Sequence, residues 1–358
     1  EKVPFGEGDE IATVSEHINR AMLWLSEYKD ERGLCYINQG DWNDPMNMVG
    51  YKGKGVSGWL SMAASYGLQV WADICEQNGD LDHVEDFRAR ATKFNKDINT
   101  YLWDGNWYAR GITDDNVVFG TSNDKEGRIF LNTQSWAFLC GCADRGKINV
   151  MLEAIETNLE TPYGVELVAP AYTAMREDVG RVTQKHPGYA ENGSVYNHAV
   201  AFYIYGLYNI GENDRAYRLL RKMIPSSDND DILQRGQLPV FVPNYYRGAS
   251  SLFPKTAGRS SQLFNTGTVH WMYRCLIDGL VGLRGTKHGM SIKPNLPKEW
   301  QEINVTRIFR GAEFEIHMER SSEVEENEIK VNGAVIKNGL LENIITGSKN
   351  QITVKIPV

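Results

Sequence analysis

Apolar residues recur at helical spacing through most of this chain, then switch to alternation near residue 285. Ile11, Val14, His17, Ile18, Met22, Leu23 and Leu25 form one face of a first amphipathic segment that starts after Asp9. The same period predicts helices over residues 56–75, 84–102, 133–143, 147–159, 200–208, 214–223 and 267–283. Between alternate helices lie long loops rich in Gly, Asn, Asp and aromatics, such as Trp103-Asp104-Gly105-Asn106-Trp107-Tyr108-Ala109-Arg110. Long loops in a compact domain usually carry function. Helix pairs joined alternately by short turns and long loops predict an (α/α)-barrel with its long loops gathered at one mouth. Beyond Gly285, residues 304–310, 312–318, 328–335 and 351–358 alternate polar and apolar, with Asn332-Gly333 as a hairpin turn. The expected organisation is therefore a helical barrel over residues 1–285, with its N-terminal helices partly missing, and a small β-domain over 286–358. The charged 319–326 stretch reads as a solvated turn.

With 358 residues, 42% hydrophobic and 23% charged, the chain is long enough to bury a large core. No window holds 18 uninterrupted apolar residues, so a membrane-spanning helix is not expected. The start at Glu1-Lys2-Val3-Pro4 has neither an initiator methionine nor a signal peptide, and reads as an internal point of a longer protein. A net charge of -8 without long runs of either sign argues against a nucleic-acid face. The five cysteines are odd in number and sit mostly in apolar helical contexts, which suggests buried thiols in a reducing, cytoplasmic setting. Cys140 and Cys142 lack the second ligand pair of a metal site. No metal or organic cofactor is expected. Asn192-Gly193-Ser194 and Asn304-Val305-Thr306 match the glycosylation pattern, which occurs often by chance.

Three stretches concentrate chemistry. Gly40-Asp41-Trp42-Asn43-Asp44-Pro45-Met46-Asn47 packs two carboxylates, amides and an indole around a turn. Cleaving a glycosidic bond needs an acid to protonate the leaving oxygen, an aromatic face for the sugar and amides for its hydroxyls. Asp44, Trp42 and Asn43 could supply these, or Asp41 or Asp44 could simply cap the following helix. The second stretch, residues 181–198, places Arg181, Lys185, Glu191 and His198 in a Gly/Pro-rich loop just before a helix, with His198 in the helix's first turns. The alternative is a loop ion pair at Glu191 and a core histidine at His198. The third, residues 258–268, leads hydroxyls, Gly267 and Arg259 into a helix start, either a phosphate cradle or an ordinary cap. It lacks the Gly-Lys-Ser/Thr of a nucleotide loop.

On these three stretches the chain resembles the disaccharide phosphorylases of glycoside hydrolase family 94. The carried motifs are Gly40-Asp41-Trp42-Asn43-Asp44, Glu191-Asn192-Gly193 followed by His198, and Thr266-Gly267-Thr268. The resemblance implies that Asp44 is the general acid, that Trp42 and Glu191 bind sugar, and that His198, Thr266 and Gly267 receive inorganic phosphate. It implies a mainly α fold, an (α/α)6 helical barrel followed by a small C-terminal β-domain. It also implies an N-terminal β-sandwich and linker that this chain lacks, an upstream arginine/aspartate sugar-binding element that is missing too, and a homodimer. Phosphate, already an anionic nucleophile, would need a docking site rather than a base. To keep its proton near neutral pH, Asp44 is expected to be partly buried beside Trp42.

Arg181 and Lys185 depart from the neutral or acidic contacts expected at these positions in family members that handle neutral sugars. Two cations there would attract a carboxylate, which favours an aldonic acid as leaving group. The closest family reading is phosphorolysis of 4-O-β-D-glucosyl-D-gluconic acid, cellobionic acid, to α-D-glucose 1-phosphate and gluconate. Alternatives are cellobiose or chitobiose phosphorolysis, an inverting hydrolase with Glu191 as base, and a non-catalytic sugar-binding module. Arg181 could also pair with Glu177 or Asp178, leaving Lys185 exposed.

Overall fold

Thr13 ends an extended segment and starts the first helix. In the computed structural model, which describes residues 2–4, 11–237, 241–261 and 266–358, α1 (Val14–Glu27) opens with a capping box. The Thr13 hydroxyl accepts from Glu16 N at 3.2 Å, while Glu16 Oε2 accepts from Thr13 N at 2.6 Å. Ile11, expected on the helical face, instead lies in strand Ile11–Thr13, paired antiparallel with Lys2–Pro4.

Three hairpins follow, each with a short turn: α2 (Gly58–Asn78) with α3 (Leu81–Tyr101), α4 (Leu131–Cys140) with α5 (Arg145–Asn158), and α6 (Asn197–Asn209) with α7 (Asn213–Met223). Gly79, at φ +80°, ends α2 and returns its N–H to Glu76 O. All ten residues of α4 are buried, as are residues 199–208 of α6. A helix buried on every side belongs in a core, and in α4 the buried polar side chains Thr133, Gln134 and Ser135 hydrogen-bond backbone carbonyls. A short α8 (Asn229–Arg235), absent from the expected helices, and α9 (Thr268–Arg274) complete the set. The last runs on as a π-helical stretch, Cys275–Leu280, so the expected 267–283 helix is not a single α-helix.

Two-residue strands lead directly into the inner helices. Val56–Ser57 enters α2, Ile129–Phe130 enters α4 and Val195–Tyr196 enters α6, each paired antiparallel with a loop. These pairings fix the long loops at the N-terminal ends of those helices. The five cysteines are free and buried, and no helix of the described residues is long and apolar enough to cross a membrane.

The chain divides into two compact units, one comprising Glu1–Gly206 and Lys222–Thr268, the other Leu207–Arg221 and Val269–Val358. The second contains a five-stranded sheet in the order 302–309, 312–321, 349–357, 328–331, 334–335. Ala312, Phe314, Ile316 and Met318 alternate into its core with Ile352, Val354 and Ile356. The central pair, 312–321 with 349–357, is parallel, whereas its neighbours are antiparallel. Asn332 and Gly333, both at positive φ, make the expected hairpin turn.

Candidate functional site

The first motif is built on a buried ion pair. Both Asp41 carboxylate oxygens accept from Arg110 Nη2 at 2.7 Å, and one also accepts from the Ser57 hydroxyl at 2.6 Å. The Arg110 and Asp41 side chains are 1% and 0% exposed. The other oxygen accepts from Asn43 N at 2.8 Å, which turns the chain sharply after Trp42. Neither Asp41 nor Asp44 caps α2; Ser57 does, accepting from Leu60 N at 2.9 Å. Asp41 is thus an anchor, and the second carboxylate, Asp44, is left exposed at the turn. The partial burial expected for Asp44 beside Trp42 is not found. Asn43 is buried, with no partner for its Oδ1 among the described residues. The Trp42 ring meets Tyr196, His198 and Phe202 edge-on, at centroid distances of 5.2, 5.3 and 5.9 Å.

The second motif packs against the first. Val182 N donates to Pro45 O at 3.0 Å, and Arg181 N donates to Asn47 Oδ1 at 3.1 Å. Within Glu191-Asn192-Gly193 the roles separate clearly. The buried Asn192 side chain accepts from Tyr172 N and donates to Tyr172 O and Lys185 O, at 2.7–2.9 Å, pinning the loop. Full burial of that amide leaves no room for a glycan. Gly193, at φ +81°, passes so close to Ala171 that a Cβ would lie 2.7 Å from the alanine's own. Glu191 pairs with Lys185. This is the loop ion pair that the sequence left open at Glu191, and it engages Lys185, one of the two cations expected to meet a substrate carboxylate. Asp178 is taken by Arg176 at 2.8 Å, and the exposed Arg181 side chain makes no ion pair with a described residue.

His198 lies in the first turn of α6, as the spacing predicts. Its Nδ1 is 3.2 Å from the Thr266 hydroxyl. Burial lowers its pKa to about 4, so the imidazole is neutral at pH 7. Gly267 lies against its ring: a Cβ there would fall 2.3 Å from His198 Nε2. Arg259 is exposed and reaches over Gly236 at the end of α8, with no contact tying it to His198 and Thr266. Ser260 and Ser261 pair as a strand with Tyr245–Tyr246. Residues 262–265 of the expected phosphate cradle lie outside the described residues.

Two residues at the centre escaped the sequence reading. Tyr196, inside the second motif, accepts from Asn244 Nδ2 at 3.2 Å. Burial raises its pKa, and the nearby Glu191 and Asp44 charges push the same way, so the phenol keeps its proton. Asn244 also accepts from Thr266 at 3.1 Å. Tyr196 could have been found as the residue between Glu191 and His198. Asn244 carries only the weak signal of a polar residue before Tyr245-Tyr246-Arg247. Among the described residues, no group of three His, Cys, Asp or Glu is placed to hold a metal ion.

A sequence profile described as "Glycosyl hydrolase 94 superfamily, catalytic domain" matches residues 1–282. The chain is 54% identical over 358 residues to a cellobionic acid phosphorylase of Neurospora crassa, covering 100% of this chain and 45% of that protein. It is 36% identical over 330 residues to a 3-O-beta-D-glucopyranosyl-beta-D-glucuronide phosphorylase of Paenibacillus borealis, covering 92% of this chain and 42% of the relative. The chain thus spans less than half the length of these curated relatives. Among solved structures, one titled "Sialidase" shares the fold, with a TM-score of 0.57 at 15% identity over 82% of this chain and 26% of that one.

Proposed function

Because this chain belongs to the glycosyl hydrolase 94 superfamily, we propose that it is the catalytic part of an inverting disaccharide phosphorylase that converts cellobionic acid and inorganic phosphate to α-D-glucose 1-phosphate and gluconate. The observation that carries this reading is the Lys185–Glu191 pair. It occupies the carboxylate that would otherwise activate water, while His198, Thr266 and Gly267 stand together beside Trp42. An inverting hydrolase needs a free base; phosphate brings its own charge and needs only a seat.

In this mechanism a phosphate oxygen attacks the anomeric carbon from the face opposite the aglycone. The glycosidic C–O bond breaks, the Asp44 proton goes to the departing O4 of gluconate, and the β-linkage becomes an α-phosphate. Asp44 is then reprotonated from solvent. Its exposure in this chain suits an acid whose surroundings are completed by bound substrate. Trp42 stacks on the glucosyl ring, with Asn43 and Glu191 on its hydroxyls. The unpaired Arg181 offers bidentate contact to the aldonate carboxylate, and Lys185 acts through Glu191. Arg259 serves the phosphate end as a peripheral cation. The 54% identity to a cellobionic acid phosphorylase supports this choice of acceptor.

We read the helical hairpins as part of an (α/α)6 barrel over residues 1–285, with residues 286–358 as the C-terminal β-domain. An N-terminal β-sandwich and linker, and an upstream arginine/aspartate sugar-binding element, would belong to the same protein. A homodimer in the cytoplasm, working without metal or organic cofactor, completes the proposal.

The test is phosphate-dependent formation of glucose 1-phosphate by the full-length protein, with cellobionic acid and cellobiose compared side by side. Asp44→Asn should lower kcat by about 10²- to 10⁴-fold. Arg181→Ala should raise KM for cellobionic acid about tenfold or more, the worth of a charged hydrogen bond, and leave any turnover of cellobiose unchanged. Free glucose formed without phosphate would instead identify a hydrolase, and sugar binding without turnover a non-catalytic module.

A further inference from the structure

The site is assembled from two halves, and one buried amide touches both. Asn244 is 1% exposed. Its backbone carbonyl accepts from Asn197 N at 2.9 Å and so fixes the first residue of α6, next to His198. Its side-chain nitrogen donates to the Tyr196 oxygen at 3.2 Å. Its side-chain oxygen accepts the Thr266 proton at 3.1 Å, which turns the Thr266 oxygen towards His198 Nδ1, 3.2 Å away. Tyr196 in turn stands edge-on to Trp42 and close to Asp44 and Glu191. Through two hydrogen bonds Asn244 therefore reaches the wall of the sugar subsite on one side and the phosphate residues on the other. A buried amide has no water to replace a lost partner, so removing it releases both groups at once.

We propose that Asn244 is a positioning residue that couples the sugar half of the site, Tyr196 and Trp42, to the phosphate half, Thr266 and His198. This rests on the phosphorylase reading above and goes beyond it, since Asn244 contacts neither the proposed acid nor the proposed sugar ligands.

The experiment is a pair of double-mutant cycles in the full-length protein, reading KM for phosphate and KM for cellobionic acid separately. Tyr196 and Thr266 also hydrogen-bond each other, so Thr266→Ala should raise mainly the phosphate KM and Tyr196→Phe mainly the disaccharide KM, each with a smaller effect on the other. Asn244→Ala should raise both by about three- to tenfold, as the loss of neutral hydrogen bonds predicts. In the doubles the losses should not add: Asn244→Ala/Thr266→Ala should match Thr266→Ala in the phosphate term, and Asn244→Ala/Tyr196→Phe should match Tyr196→Phe in the disaccharide term. If the alanine variant does not fold, Asn244→Ser, which keeps a polar atom in the space, enters the same cycles. Additive losses, or a lowered melting temperature with both KM values unmoved, would overturn the coupling while leaving the phosphorylase reading intact. A wild-type protein that turns over without phosphate would sink the phosphorylase reading first, and the coupling with it.

Discussion

At Gly267 the site has no room for one methyl group. A Cβ there would stand 2.3 Å from His198 Nε2 and 2.5 Å from Cε1, and the ring cannot retreat because Phe202 and Trp42 lie 4.6 and 5.3 Å from its centroid on other sides. Gly267→Ala should therefore displace the imidazole from Thr266. Misplacement of a contact group by an ångström is worth about 10²-fold in rate, so kcat/KM for phosphate should fall by at least tenfold, and the overpacking should also lower the melting temperature, costing about 1–3 kcal/mol of stability. Steady-state kinetics at varied phosphate, beside a thermal melt, checks both. At this scale the sequence was most legible where polar and aromatic residues cluster in a short loop. Trp42, His198, Thr266 and Gly267 meet, and the 41–47 loop packs on the 181–185 turn. What it could not disclose are partners brought together across long intervals. Arg110 lies 69 positions from Asp41, and Asn244 lies 48 from Tyr196. The charges of Arg181 and Lys185 and a loop ion pair at Glu191 were readable, but not that Lys185 is the partner in that pair.

The loop carrying Trp42 and Asp44 is held by its ends rather than by regular structure. Asp41 is locked to Arg110 and Ser57, and Pro45 O takes the amide of Val182. Removing one partner of a buried pair strands a charge and is worth about 3–5 kcal/mol. Arg110→Met should therefore lower stability by that order in chemical denaturation, and the added change Asp41→Asn should recover part of it by removing the stranded charge. Both variants should lose turnover even where circular dichroism shows a folded protein, because Asp44 is no longer fixed. Turnover retained by folded Arg110→Met would refute this account of the loop. Element by element, α2, α3, α5 and α7 were legible from their period, as were α4, with its Trp136–Cys140 apolar run, and α6, apolar from Ala199 to Tyr205. The two-residue strands before α2, α4 and α6 are too short to show a period of two, and α8 has too few residues to show one of 3.6. The start of α1 was legible in principle, since Thr13-Val14-Ser15-Glu16 has the capping-box spacing, but apolar Ile11 extended the pattern beyond it.

Whole-molecule stability should carry the mark of one buried carboxyl. Glu166 is 7% exposed, and its Oε1 accepts a long bond, 3.4 Å, from Ser250 N. Burial raises its pKa to about 7, more than the two backbone hydrogen bonds at Ser250 and Ala249 lower it. Because the folded pKa lies above the ordinary glutamate value of 4.5, the folded state holds the proton more tightly than the unfolded one. The stability this contributes is complete below about pH 4.5 and is lost as pH rises through about 7. At 1.36 kcal/mol per unit the loss is on the order of 3 kcal/mol. His198 acts with the opposite sign. Its folded pKa is depressed to about 4, so its contribution is present above its unfolded pKa near 6.5 and is lost as pH falls towards 4. The two slopes oppose each other over most of the acid range, and the raw pH profile of the wild type will not separate them. A difference measurement does. Glu166→Gln leaves His198 in place and removes the ionisation, so its stability relative to wild type should rise by roughly 3 kcal/mol between pH 4.5 and pH 8. Urea denaturation of both proteins at the two pH values gives the number directly. A difference that does not change with pH would mean that Glu166 is solvated in the folded protein, and that the turn at Ala249 and Ser250 does not seal it from water.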